Sequence, residues 1–140
     1  MPAVVQAVEY DQAGDDVRAV YDDIMATRGI DFVPNFWKTL GHHPATLRRT
    51  WQSLKEVMAP GALSPMFKEM IAVAVSATNG CEYCIRSHSL AARKAGMTPE
   101  MFGELMAVVG MFNETNRLVH GLQVDIDDYM AGPVVGPADQ

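Results

Sequence analysis

The sequence predicts an all-α fold. No stretch sustains the apolar/polar alternation of a half-buried strand. Glycine and proline recur at intervals that suit helices, and the apolar residues between them fall at the three- and four-residue spacing of a helix face. With 140 residues, 49% of them hydrophobic and 20% charged, there is one domain's worth of chain around one core. Disordered, collagen-like and coiled-coil classes are not supported.

An irregular arm is expected over residues 1–14, a helical domain over 15–130 and a non-helical tail over 131–140. Asp15 is placed to cap a helix carrying Val17, Val20, Tyr21, Ile24 and Met25, stopped at Gly29. Pro34 and Asn35 open a short helix through Phe36, Trp37 and Leu40, ended near Gly41, and Pro44 suits the first turn of the next, with Leu47, Trp51, Leu54 and Met58 on one face. Pro60-Gly61 interrupts the chain. Ser64-Pro65 is a cap and first-turn proline for a helix to about Thr78, and Asn79-Gly80 is a tight link. The next helix runs from about Cys81 to Ala95, with Arg93 and Lys94 suited to its last turn and Gly96 as a left-handed terminator. Thr98-Pro99-Glu100 opens a helix with Met101, Phe102, Leu105, Val108 and Val109. A separate last helical stretch is expected around Glu114 to Leu122. The tail Gly132-Pro133-Val134-Val135-Gly136-Pro137 does not read as helix. The ten methionines are scattered over these faces as core or interface filling.

Lys+Arg 11 against Asp+Glu 17 gives a net charge of -6, which argues against nucleic acid or an anionic membrane surface as the main partner. No apolar run is long enough for a transmembrane helix. The first residues lack the basic and apolar regions of a signal peptide, so a cytoplasmic location is expected. Both cysteines, Cys81 and Cys84, sit three apart. In a reducing compartment this points to redox or metal chemistry rather than a structural staple.

Cys81, Cys84 and His88 are spaced i, i+3 and i+7, within about 60° of helix circumference. Cys81 falls in the first turn, where free N–H groups and the helix dipole favour a thiolate. Glu82 opposes that by like-charge repulsion. His88 lies one turn beyond Cys84 and can exchange a proton with it. If the two helices pack antiparallel about Asn79-Gly80, Glu69 comes within reach of His88. Carboxylate, imidazole and thiol in sequence form the orienter, base and nucleophile of nucleophilic catalysis.

Other readings stay open on the residues alone. Cys81, Cys84 and His88 with Glu69 could make four zinc ligands. The cysteines could be inert hydrophobes, His88 a core histidine, and Glu69 an interhelical ion-pair partner. His43 before Pro44 reads as a helix-start residue, His120 as a residue near a helix end, and His42 carries no stronger signal. Trp37 and Trp51 read as core or subunit-interface anchors.

Glu69, eleven intervening residues, then Cys81-Glu82-Tyr83-Cys84 and His88, resembles the alkylhydroperoxidase AhpD-like core of the carboxymuconolactone decarboxylase family, in its peroxidase-related branch. Pro34-Asn35-Phe36-Trp37, His43-Pro44, Ala95-Gly96-Met97-Thr98 and Met111-Phe112-Asn113 extend the resemblance over most of the chain. It implies a compact multi-helix domain with the redox pair near the start of a core helix, assembled as a trimer or hexamer. It also implies a thiol-dependent peroxidase of small hydroperoxides, without cofactor or metal. Cys84 would be the attacking thiol, Cys81 the resolving one, and His88 and Glu69 the proton relay. The reductant would be a dithiol, either a lipoylated or a thioredoxin-like protein. The sequence departs from a well-studied peroxidase form at Tyr83, where that form has histidine. Two alternatives are a carboxymuconolactone-type decarboxylase, which does not depend on the cysteine pair, and a non-catalytic oligomeric stress-associated module.

Overall fold

The computed structural model describes residues 3–136. It is all-α: α1 (Asp15–Arg28), α2 (Asn35–Leu40), α3 (Pro44–Met58), α4 (Pro65–Asn79), α5 (Glu82–Lys94) and α6 (Pro99–Leu122) follow in order. Single 3-10 turns lie at Tyr10–Gln12 and Asp128–Met130, and no strand occurs among the described residues. The chain divides into two compact units, one ending at Ala62 and the other beginning at Leu63.

The first unit holds α1, α2 and α3 around Val17, Val20, Tyr21, Ile24, Val33, Trp37, Leu47 and Trp51. The arm contributes Ala13 to this core, and Val8 packs against it. Burying each of the large side chains stabilises by roughly 1.5–3 kcal/mol. Tyr21 is fully buried, and its hydroxyl donates to the carbonyl of Val8 at 2.9 Å, which ties the arm to α1. Gly41 leaves the room for that bond: a Cβ there would lie 2.6 Å from Tyr21 Oη and 2.9 Å from Val8 Cβ. Trp37 and Trp51 meet edge to face at 5.2 Å. The cap of α1 differs from expectation. Gly14 is the N-cap residue and Asp15 the first helical one, while Asp16 Oδ1 accepts from the N–H of Val17 at 2.9 Å.

The second unit is a hairpin of α4 and α5, with α6 packed on α4. Ser64 and Thr98 cap α4 and α6 through their side chains, each followed by proline in the first turn. α5 ends in a Schellman motif: Gly96, at φ 113°, donates to Arg93 O, and Met97 donates to Ala92 O. Met97 and Ala92 are both buried there. The expected break before Glu114 is absent, since α6 runs unbroken from Pro99 to Leu122. Gly103 and Gly110 leave its i→i−4 ladder intact, each glycine costing only about 1 kcal/mol relative to alanine. Asn113 supports the middle of α6, donating to Val109 O at 2.8 Å and to Thr78 Oγ1 of α4 at 3.0 Å. The tail is non-helical from Gly132 to Gly136, and its remaining positions, 137–140, lie outside the described residues. No helix among the described residues is long and apolar enough to cross a membrane.

Candidate active site

The site starts at the link between α4 and α5. Gly80 adopts the left-handed conformation, φ 70°, that a side chain would disfavour. Its N–H donates to Ala77 O at 3.3 Å, and the next N–H, that of Cys81, donates to Ser76 O at 3.0 Å. These bonds close α4 and leave Cys81 as the N-cap residue of α5. Gly80 thus ends the first helix and Cys81 begins the second.

Cys81 and Cys84 are joined by a disulfide, with their Cα atoms 5.3 Å apart. Cys81 Sγ also accepts the backbone N–H of Cys84 at 3.4 Å, the role a serine or aspartate oxygen plays at other N-caps. Glu82, beside Cys81, pairs with Arg86 one turn on, Oε1 to Nε at 3.1 Å. The repulsion it would exert on charge at Cys81 is thereby reduced.

The hairpin brings Glu69 to His88. Nδ1 of His88 lies 2.7 Å from Oε2 of Glu69, the ring N–H donating and the carboxylate accepting. Both side chains are largely shielded, 25% and 19% exposed, so the contact is less weakened by water than a surface pair. With Nδ1 committed to the carboxylate, Nε2 is the ring nitrogen able to take up a proton. His88 is the i+4 neighbour of Cys84 on α5, on the same helix face. Glu69, Cys81, Cys84 and His88 are all half-buried.

The remaining candidates lie elsewhere. His43 is the N-cap of α3, its Nδ1 accepting from Thr46 N–H at 3.2 Å. His42 Nε2 is bonded to Gln6 O at 2.7 Å, and His120 sits in the last turn of α6. Trp37 and Trp51 are buried in the first unit's core. Among the described residues no group of three or more His, Cys, Asp or Glu side chains is placed to hold a metal ion. A groove of about 320 Å³ opens between α4 and α6, lined by Val75, Thr78, Val108, Phe112, Asn113 and Asn116 among others. None of the four site residues lines it. Sequence reasoning missed the Ser76 carbonyl that fixes Cys81, since a backbone acceptor leaves no residue-type signal. It also missed the Glu82–Arg86 pair, which the i, i+4 spacing of opposite charges could have shown.

Comparison with known proteins agrees with the fold. The profile of the carboxymuconolactone decarboxylase family matches residues 44–126. An alkylhydroperoxidase AhpD core from Rhodospirillum rubrum, known from a crystal structure, superposes with a TM-score of 0.85 at 42% identity, over 95% of this chain and 100% of that one. An AhpD-core, peroxidase-related protein from Ralstonia eutropha shares the fold at 22% identity, with a TM-score of 0.52 over 89% of this chain and 92% of that one. A curated alkyl hydroperoxide reductase AhpD from Anaeromyxobacter sp. is 25% identical over 96% of this chain and 72% of its own length. That of Anaeromyxobacter dehalogenans is 26% identical over 86% of this chain and 63% of its own.

Proposed function

Because the chain belongs to the carboxymuconolactone decarboxylase family, we propose that it is a thiol-dependent peroxidase that reduces small hydroperoxides through Cys84 and Cys81, with Glu69 and His88 as proton relay. The observation that carries this reading is the 2.7 Å hydrogen bond from His88 to Glu69 on the hairpin that also bears the disulfide.

In the reduced protein, His88 takes the proton of the Cys84 thiol and Glu69 stabilises the imidazolium. The thiolate attacks the terminal oxygen of the hydroperoxide. An S–O bond forms, the O–O bond breaks, and the alkoxide leaves as alcohol with the relayed proton. Cys84 is now a sulfenic acid. Cys81 attacks its sulfur, hydroxide leaves as water with a proton, and the disulfide closes. A dithiol protein, lipoylated or thioredoxin-like, restores both thiols. The enzyme acts in the cytoplasm as a homo-oligomer, a trimer or hexamer, without cofactor or metal.

Mass spectrometry after one equivalent of peroxide tests the cycle. The expected result is a loss of two hydrogens per chain together with one equivalent of alcohol. A persistent sulfenic acid, or an unchanged mass, overturns it. Turnover of a lactone acid by the Cys81→Ser, Cys84→Ser double variant would instead favour decarboxylase chemistry.

A further inference from the structure

We infer that thiol exchange at this disulfide is polarised: the thiolate of the reductant attacks Cys84 Sγ, and Cys81 Sγ is the sulfur that leaves. The inference rests on the thiol chemistry proposed above and adds which sulfur the electron donor engages. Exposure does not separate the two, since both cysteines are half-buried. Their surroundings do.

In thiol–disulfide exchange the attacked sulfur forms the new bond and the other departs with the electron pair, so the path that expels the better stabilised thiolate is faster. Cys81 Sγ is the N-cap atom of α5 and already accepts the Cys84 N–H at 3.4 Å. To a neutral disulfide sulfur that bond is weak. As negative charge grows on Cys81 Sγ it becomes charge-assisted, and the free N–H groups of the first turn add to it. The interaction is therefore stronger in the transition state than in the ground state, the condition for it to accelerate the step. The backbone needs no rearrangement, because the Cys81 N–H is held by Ser76 O at 3.0 Å and its carbonyl accepts from Ile85 at 2.9 Å. Glu82 opposes a charge at Cys81, but Arg86 pairs with it at 3.1 Å. The relay gives Cys84 no matching support in the disulfide form: no thiol proton is present for His88 to take, and with Nδ1 bonded to Glu69 its Nε2 is an acceptor, not a donor, toward Cys84 Sγ.

The step balances without further reactants. The reductant thiolate and Cys84 form a mixed disulfide, the Cys81–Cys84 bond breaks, and Cys81 carries the electron pair as thiolate. The reductant's second thiol then attacks its own mixed-disulfide sulfur, closes the reductant's disulfide and expels Cys84, which takes a proton from the relay.

The experiment treats the oxidised protein with glutathione, quenches with acid, blocks free thiols with N-ethylmaleimide and maps both cysteines by fragmentation. Glutathione is expected on Cys84 and maleimide on Cys81, in at least about tenfold excess over the reverse, about 1.4 kcal/mol of discrimination. Arg86→Glu, at a side chain 79% exposed, leaves Glu82 unpaired and should narrow the ratio about two- to fivefold at low salt, the size of an exposed ion pair. Glutathione mainly on Cys81, no adduct at all, or a ratio unmoved by Arg86→Glu overturns the inference. Peroxide consumption, measured separately on the same protein, distinguishes the two failures. Turnover with a Cys81 adduct sinks the polarity alone, while a Cys84 adduct without turnover sinks the peroxidase reading and leaves the polarity standing.

Discussion

Glu69 and His88 are 19 residues apart and meet through one hydrogen bond, so their contributions can be separated by substitution. A free thiol titrates near about 8.5, which leaves only a few per cent thiolate at neutral pH unless a base intervenes. If the pair acts as that base, Glu69→Gln should slow oxidation of the reduced thiols by about ten- to a hundredfold, and His88→Ala by a similar factor. The double variant should be little worse than either, since residues acting as a unit are not additive. Stopped-flow oxidation with far-UV circular dichroism as a control for folding checks this. Independent, multiplying losses would reduce Glu69 to an interhelical packing partner. Gly80 is the second residue on which the site depends. Nothing lies within 4 Å of a Cβ built there, so Gly80→Ala meets no clash and carries only the left-handed backbone penalty, about 1–2 kcal/mol. Chemical denaturation should show that loss, and Gly80→Asn should recover part of it. An Asn variant no better than Ala would mean that the link does not need this conformation.

Between elements, Asp23 joins α1 to α3. Its Oδ2 accepts from Trp51 Nε1 and from Lys55 Nζ, both at 2.6 Å. The Lys55 hydrogen bond first, then that of Trp51, holds the carboxyl below its ordinary range. A depressed folded-state value means that the stabilisation is present above the unfolded carboxyl pKa, near about 3.9, and is lost as pH falls through the lower folded value. Thermal unfolding followed from pH 7 to pH 2 should thus show Asp23→Asn destabilised at neutral pH and converging on the parent protein at the acid end. A constant gap across that range would assign the loss to packing instead. This clasp was invisible in the sequence, because its partners lie 28 and 32 residues away and only helix packing brings them together. The helix starts and stops were legible because their causes are local: Ser64-Pro65, Thr98-Pro99, Gly29, Gly80 and Gly96 act within one turn. Glu69 facing His88 was legible for the same reason, as a short link fixes which residues of a hairpin meet. The continuity of α6 was not, because Asn113, bonded to Thr78 of α4, supports the helix through a tertiary contact that leaves no local signal.

At the scale of the whole molecule, the second unit leaves more apolar surface in water than an isolated helical hairpin with a third helix should tolerate. Phe67, Ile71 and Val75 on α4 are 56%, 49% and 54% exposed, at i, i+4 and i+8. On α6, Val108, Met111, Phe112, Leu118, Val119 and Leu122 are all at least half exposed, and at 100° per residue they span about 120° of circumference. No residue of α6 is fully buried. A stripe of this kind, continuous over four turns, is the pattern of an interface rather than of scattered surface side chains. A second copy of the chain, which presents the same stripe, can cover it by symmetry without new charge pairing. The protein should therefore scatter light as a multiple of 15.3 kDa at micromolar concentration. Ile71→Glu or Val119→Glu places a charge within the stripe, where its burial without a partner costs several kcal/mol. Either variant should fall to the mass of one chain while keeping its helical signal, because both side chains are half exposed and outside the core. A parent protein that scatters as a single chain, or variants that keep the parent's mass, would leave the stripe without this explanation.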